Sequence, residues 1–302
     1  MLARVEHTSI LSAGQDINIL AYYILFMQQN LFQELQELMI RHKFRPEKDY
    51  SQNFMVDSEL LELIIFHAKL KKSDVVLEIG PGVGFLTQEL VKKCRVVAVE
   101  ADPRMAEILK ERVQSKNLCL VEGDFLKAEL PKFSKVVSLP PYSISSEIIY
   151  RLLSYGFDSA CLVFQKEFAE KLAAFPGLFD YGPITVMTNY YCDTKILIES
   201  ITPNSFFPKP KSFSSLIELK CRKRFGIVAD ERLFAKFIGS IFRYRNKNLR
   251  NAMLNSYCSL EKEIKFPEEE FRKKVELLKL KDEKVYLIEV RDYVKIFNEL
   301  FP

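Results

Sequence analysis

The sequence has almost nothing with which to hold a metal. Its 302 residues include three histidines and six cysteines (Cys94, Cys119, Cys161, Cys192, Cys221 and Cys258), with no Cys-x-x-Cys pair and no ligand spacing. A disulfide framework is not expected in a chain of this size, so the thiols read as small buried hydrophobes. Long apolar runs are missing too. The longest candidate, INILAYYILFM at residues 17–27, falls short of the ~18 to 20 residues a membrane helix needs. No basic opening followed by a small-residue cleavage site marks a signal peptide, and a cytoplasmic location is the expectation. What remains is an ordinary globular composition, long enough for one large domain or two of common size.

The charge is small overall, +4, but unevenly spread. Residues 205–250 hold twelve Lys/Arg against three Asp/Glu. Such a block suits a phosphate-bearing partner, and on charge alone a solvated basic face explains it equally well.

Residues 1–30 carry few charges and no clear motif; either translation begins at Met27 or this segment is a loosely held extension. A helical pattern runs over LFQELQELMI (31–40). From Asp57 onward, helical and strand patterns alternate: DSELLELIIFHAKL, then DVVLEIG, FLTQELVKKC, RVVAVEAD, PRMAEILKERVQ, LCLVEGDFL, KVVSLPP, SSEIIYRLLSYG and SACLVFQ. Alternation with short connections predicts βαβ units and a mainly parallel sheet. After Asp180, ITVMTNYYC, TKILIES and SLIELKC read as strands, and from Asp230 the pattern is helical. The expected division is an extension (1–30), an α/β domain (31–225) and a smaller helical domain (226–302).

VVLEIGPGVGFLT places Gly80, Gly82 and Gly84 between a strand and a helix, at the strand's carboxyl end, where open α/β sheets bind ligands. The next strand ends at Glu100, twenty residues after Gly80, and an acid there accepts hydrogen bonds from ribose hydroxyls. The third strand ends at Asp124 and Phe125, a carboxylate for an adenine amine and a ring for its face. The final glycine of the dinucleotide fingerprint is absent and Glu78 precedes the turn. An acid at that point suits a cationic ligand without phosphates, such as S-adenosylmethionine, better than a pyrophosphate; a cap or loop anchor is its other reading.

At these residues the chain resembles the rRNA adenine dimethyltransferases, and looks closest to archaeal members. The resemblance runs from about Leu31 to the C-terminus and rests on YSQNFMVD, FQKEFAEKLAA with DYG, FFPKPKSFSS and FRYRNKNLRNAML. It implies a doubly wound α/β methyltransferase domain with a seven-stranded sheet and a small helical C-terminal domain. It also implies S-adenosylmethionine as cofactor, and transfer of methyl groups to two adjacent adenosines near the 3′ end of small-subunit rRNA, two per base. By the same resemblance Gln52, Asn53 and Met55 cover the methionine end of the cofactor, Met55 standing where Leu is usual. Gly80 and Gly82 lie against the cofactor, Glu100 takes the ribose, and Asp124 with Phe125 takes the adenine. The implied partner is rRNA in an immature small ribosomal subunit, met by a monomer without metal or membrane, in the course of rRNA processing and ribosome biogenesis.

The residues themselves fit this. FFPKPK joins aromatics, rigid prolines and lysines: Phe207 can stack on an extruded base, and Lys209 and Lys211 can meet the backbone. An interdomain turn with core phenylalanines is the plainer reading of the same stretch. Arg243, Arg245, Lys247 and Arg250 spread over more than one helical face, so some should reach solvent and phosphate.

The catalytic corner departs from the pattern. An adenine amine is a poor nucleophile that must be unstacked, held in line and relieved of its hydrogens by a polar side chain and a backbone carbonyl. The usual arrangement is Asn-Leu-Pro-Tyr; here the four positions are Leu139, Pro140, Pro141 and Tyr142. Tyr142 and the Pro140 carbonyl remain, while Leu139 supplies no acceptor. Ser138 is one residue early, and strand alternation points it to the opposite side. Three readings stay open: Ser138 or a carbonyl substitutes, the enzyme is slow, or the protein is an RNA-binding assembly factor with little catalysis. A small-molecule methyltransferase is the remotest reading, given the basic block.

Overall fold

Two runs of valine and isoleucine form the centre of the sheet. In the computed structural model, which describes residues 31–47, 49–221, 226–263 and 266–301, β2 (Val75–Ile79) and β3 (Arg95–Glu100) are buried along nearly their whole length. Continuous burial is what a parallel strand covered on both faces requires. β4 (Leu118–Glu122) pairs parallel to β3, and β5 (Lys135–Ser138) parallel to β2. With β6 (Ser159–Gln165), β7 (Cys192–Ile201) and β9 (Ser214–Cys221) they make a seven-stranded, mainly parallel sheet of order β4-β3-β2-β5-β6-β9-β7. Within it β9 runs antiparallel to β6.

The chain packs as two compact units. The first holds the described residues up to Ser143 together with Ser200–Phe213. Besides β2–β5 it contains a helix over residues 31–41 (α1), β1 (Phe54–Met55), α2 (Ser58–Ala68), α3 (Phe85–Lys93), α4 (Pro103–Arg112) and β8 (Phe206–Phe207). α2 starts at Asp57, whose carboxylate accepts from Leu60 N, and α4 starts at Asp102 with Pro103 in its first turn. Both are the start signals the sequence carries. The helices bury Leu61, Ile64, Leu86, Leu90, Met105, Ile108 and Leu109, each such side chain contributing roughly 1.5–3 kcal/mol.

The second unit holds Ile144–Glu199 and the described residues from Ser214 on. It contains α5 (Ser145–Tyr155), α6 (Lys166–Ala173), α7 (Pro183–Tyr191), and, beyond the sheet, α8 (Glu231–Phe242), α9 (Leu249–Leu260), α10 (Glu268–Leu277) and α11 (Val290–Leu300). Among the described residues from Glu231 on, the named elements are helices and one helical turn, as the sequence pattern predicts. The expected boundary at 225/226 falls on residues 222–225, and the expected extension on 1–30; both lie outside the described residues.

One element differs from its sequence pattern. ITVMTNYYC reads as a strand but forms α7, buried at Thr185, Val186, Met187, Thr188 and Tyr190. Pro183 in the first turn and the Thr185 hydroxyl accepting from Gly182 N start the helix, and packing on α5, α6, α8 and α11 covers it. Tertiary burial overrides the β-branched composition. The cysteines also divide: Cys94, Cys161 and Cys192 are buried as expected, whereas Cys119 on edge strand β4 and Cys258 on α9 are exposed.

Candidate active site

The turn between β2 and α3 is tied to the end of β3. Gly80, Gly82 and Gly84 all have positive φ, which a side-chain-bearing residue adopts only with strain. Space is also short: a Cβ on Gly84 would meet Leu109 Cδ1 at 2.5 Å, and one on Gly82 the Phe54 ring at 3.0 Å. Glu100 fastens the turn, its Oε2 accepting from Gly82 N and its Oε1 from Asp102 N, both at 2.9 Å. The carboxylate is thus fixed at the carboxyl ends of two neighbouring strands, with lone pairs left for a ligand hydroxyl.

Glu78 lies on the same strand ends and is 2% exposed. Its Oε2 and the Thr87 hydroxyl are buried without a hydrogen-bond partner of good geometry. Burial pushes the Glu78 carboxyl up to about 8; the Thr87 hydroxyl offsets this in part and the Glu100 charge adds to it. Burial also raises Glu100, against the backbone N–H groups of Asp102 and Gly82.

The segment before β1 is latched to the loop after β3. Gln52 Nε2 donates to Asp102 Oδ2 at 2.8 Å and its Oε1 accepts from Glu47 N at 2.9 Å. Arg104 donates to both Asp102 oxygens and to Glu47 Oε1. Burial works to raise the Asp102 carboxyl, but hydrogen bonds from Arg104 and Gln52 outweigh it and hold the group below its usual value. Asn53 Nδ2 donates to Ser51 O. Met55 is buried and pairs with Phe206, and Phe54 with Phe207, in the antiparallel β1–β8 ribbon. The QNFM and FFPKPK motifs, some 150 residues apart, are therefore one structure. Val56 N donates to Ser205 O, and Ser205 Oγ to Asp57 Oδ2. The β1–β8 pairing and the Glu47–Arg104–Asp102–Gln52 latch were not apparent in the sequence. Only Asp102, as an Asp-Pro helix start, left a local signal.

At the end of β5 the corner turns through half-buried Leu139, buried Pro140 and half-buried Pro141 to Tyr142. Pro141 is packed close to the glycine turn: a Cβ on Gly80 would stand 3.5 Å from its Cδ. Ser138 is fully buried, and its hydroxyl donates to Ile79 O at 2.7 Å and accepts from Ile79 N at 3.1 Å. Both directions of its hydrogen bonding are directed back into β2. Ser143 Oγ accepts from Ser51 Oγ at 2.7 Å, tying the corner to the QNFM segment. Phe207 is half-buried with its ring edge-on to Phe32, centroids 5.3 Å apart.

Asp124 is half-exposed, caps the following turn through Leu126 N and lies 3.6 Å from Lys127 Nζ. Phe125 is buried. Lys209 and Lys211 are exposed on the loop after β8. In the second unit Arg243 and Lys247 are exposed, and Arg250 pairs with Glu276. Arg245 directs its guanidinium to the carbonyls of Phe179 and Leu178. Among the described residues no helix is long and apolar enough to cross a membrane, and no cluster of His, Cys, Asp or Glu could hold a metal ion.

A doubly wound sheet, a glycine turn locked by an acid on the next strand, and a Pro-Pro-Tyr corner beside it define an α/β methyltransferase class of protein. More specifically, residues 42–292 match the family model of the ribosomal RNA adenine dimethylases, and the chain belongs to that family; it is an rRNA adenine methyltransferase. A probable ribosomal RNA small subunit methyltransferase A of Methanosarcina barkeri is 40% identical over 237 residues, 76% of this chain and 82% of the relative. The same-named protein of Thermococcus sibiricus is 36% identical over 76% of this chain and 83% of its own length. Among solved structures, a dimethyladenosine transferase from Plasmodium falciparum superposes with a TM-score of 0.70 at 29% identity, covering 80% of this chain and 95% of that one. The 23S rRNA methyltransferase ErmE gives 0.61 at 27% identity over 83% of this chain and all of its own.

Proposed function

We propose that this protein dimethylates two adjacent adenosines near the 3′ end of small-subunit rRNA, with S-adenosylmethionine as methyl donor, and so serves ribosome biogenesis. The family membership supports the reaction class, and the names of the archaeal relatives support the small subunit as substrate. The observation that carries the cofactor is the orphaned, buried Glu78 Oε2 beside a turn locked by Glu100. A buried acid with an unmet acceptor fits a cationic ligand.

On this reading Gly80 and Gly82 line the cofactor, and Glu100 accepts from ribose with the lone pairs its backbone donors leave. Asp124 takes the adenine amine and Phe125 flanks the ring. Gln52, Asn53 and Met55 close the methionine end, the first held in place by Asp102. S-adenosylmethionine supplies an electrophilic methyl on a sulfonium, so the protein need only present the amine to it. Tyr142 and Phe207 hold the extruded adenine by its faces, and the Pro140 carbonyl accepts one amine hydrogen. Positioning and fixed dipoles supply the rate. Lys209, Lys211, Arg243, Lys247 and Arg250 meet phosphates. The methyltransferase domain is taken as 31–225 and the helical domain as 226–302, acting as a cytoplasmic monomer.

A second reading is favoured by one observation. The Ser138 hydroxyl donates to Ile79 O and accepts from Ile79 N, so it is directed into β2, and Leu139 supplies no acceptor in place of the usual Asn. A protein that binds cofactor and subunit but transfers methyl groups slowly, or acts as an assembly factor, follows from that. Loss of one preorganised polar contact costs on the order of 10² to 10³ in rate. The deciding measurement is methyl transfer from labelled cofactor to unmethylated small subunits by the natural protein and by Leu139→Asn. Robust dimethyladenosine from the natural protein excludes the assembly-factor reading. No product, with tight subunit binding and a gain in Leu139→Asn, excludes efficient catalysis.

A further inference from the structure

The second unit exposes a phenylalanine that its surroundings take some trouble to present. Phe179, on the loop between α6 and α7, is 86% exposed. Phe175, Leu178 and Leu287 beside it in sequence or space are also exposed. Such a patch is either a liability or an interaction surface. The loop is not a loose excursion. Gly177 N donates to Tyr286 O, Tyr286 N to Arg245 O, and the Arg245 guanidinium closes the ring on the carbonyls of Phe179 (2.6 Å) and Leu178 (3.2 Å). Three segments distant in sequence are thus bonded into one support.

The same support interleaves cations with rings. The Arg245 guanidinium lies 5.5 Å from both the Phe179 and the Tyr286 ring centres, and Lys284 Nζ is 6.0 Å from Tyr286. On the adjoining turn Lys247 Nζ is 5.4 Å from the Tyr244 ring. Lys247 and Lys284 are exposed. The two lysines set positive charge beside the apolar patch. An unpaired RNA segment offers the matching chemistry, a flat base for an exposed ring and phosphates for the flanking amines.

We propose that Phe179, held by Arg245 and Tyr286, is a stacking platform for an unpaired base of the RNA substrate other than the reacting adenosines. Arg245 is a positioning residue here, and Lys247 and Lys284 meet the neighbouring phosphates. The proposal rests on the reading of rRNA as substrate, and goes beyond it by assigning a second base contact.

The test measures affinity of the full chain for unmethylated small subunits, with S-adenosylmethionine binding as the control for folding. Phe179→Ala should weaken subunit binding roughly 5- to 150-fold, Phe179→Trp should retain it, and both should bind cofactor like the natural protein. Benzoylphenylalanine placed at 179 should crosslink to rRNA on irradiation. Unchanged affinity in Phe179→Ala, with the natural protein binding well, overturns the platform and leaves the substrate reading standing. Crosslinking to ribosomal protein alone overturns it in favour of a protein contact. Failure of the natural protein to bind subunits at all removes the substrate reading, and the platform with it.

Discussion

The two sides of the site differ in how their polar groups are arranged. At the glycine turn, side chains reach outward to hold backbone: Glu100 gathers Gly82 and Asp102, and Asp102 gathers Gln52 and Arg104. One acceptor, on Glu78, has no hydrogen-bond partner of good geometry. At the corner after β5 the pattern reverses. Leu139, Pro140 and Pro141 are apolar, and the nearest preceding hydroxyl, on Ser138, is turned back into the sheet. On the proposed reading, binding a nucleoside and polarising an amine are separable demands. A strand end can satisfy the first through its neighbours' backbone while the second depends on one side chain.

The largest effect should come from breaking the better-equipped side. Glu100→Ala removes the acceptor for two backbone N–H groups at once. Leaving a buried donor unmet costs about 1–3 kcal/mol, and the turn should lose its shape as well as the proposed ribose contact. Calorimetry with S-adenosylmethionine should find no binding. Binding at natural strength would mean that the cofactor does not sit on this turn, and the contrast between the two sides would collapse.

A smaller effect tests the orphaned acid. Glu78 has an ordinary value near 4.5 and stands at about 8 in the folded, ligand-free protein. The folded state therefore binds more protons than the unfolded chain between those values, and stability falls as pH rises through that window. The contribution is fully present below about 4.5 and gone above about 8, on the order of a few kcal/mol in all. Thermal unfolding of ligand-free protein at pH 5 and pH 8 should show this loss in the natural chain. Glu78→Gln, neutral throughout, should flatten it. Equal slopes in both proteins would show that the acid is not held in the neutral form.

Most of this frame was legible in advance, for reasons that also explain the gaps. β2, β3 and β5 announce themselves because a parallel strand covered on both faces is a run of apolar residues. Glu100 follows from its distance to Gly80, since one βαβ unit fixes that spacing. α7 was misread because a helix buried on most of its surface loses the polar stripe that gives the 3.6-residue period. The β1–β8 ribbon has two residues per strand, too few for any alternation to appear. The Arg104–Glu47 contact spans 57 residues between a helix and a loop, and local sequence carries no trace of such a pairing.

The smallest effect bears most directly on the apolar corner. If the Ser138 hydroxyl serves only the sheet, Ser138→Ala should leave Ile79 N without its acceptor and lower stability by about 1–3 kcal/mol. Cofactor binding and the rate per folded molecule should not move, because the hydroxyl lies on the β2 side of the strand. The two quantities separate cleanly: denaturant unfolding reads the first, and methyl transfer to small subunits, normalised to folded protein, reads the second. A rate loss of 10² or more with normal cofactor binding would place the hydroxyl at the amine after all. That outcome would require the corner to rearrange when RNA binds, since in the present structure both hydrogen-bonding directions of Ser138 end on Ile79. It would also make Leu139 a harmless replacement, with the missing acceptor supplied one residue earlier.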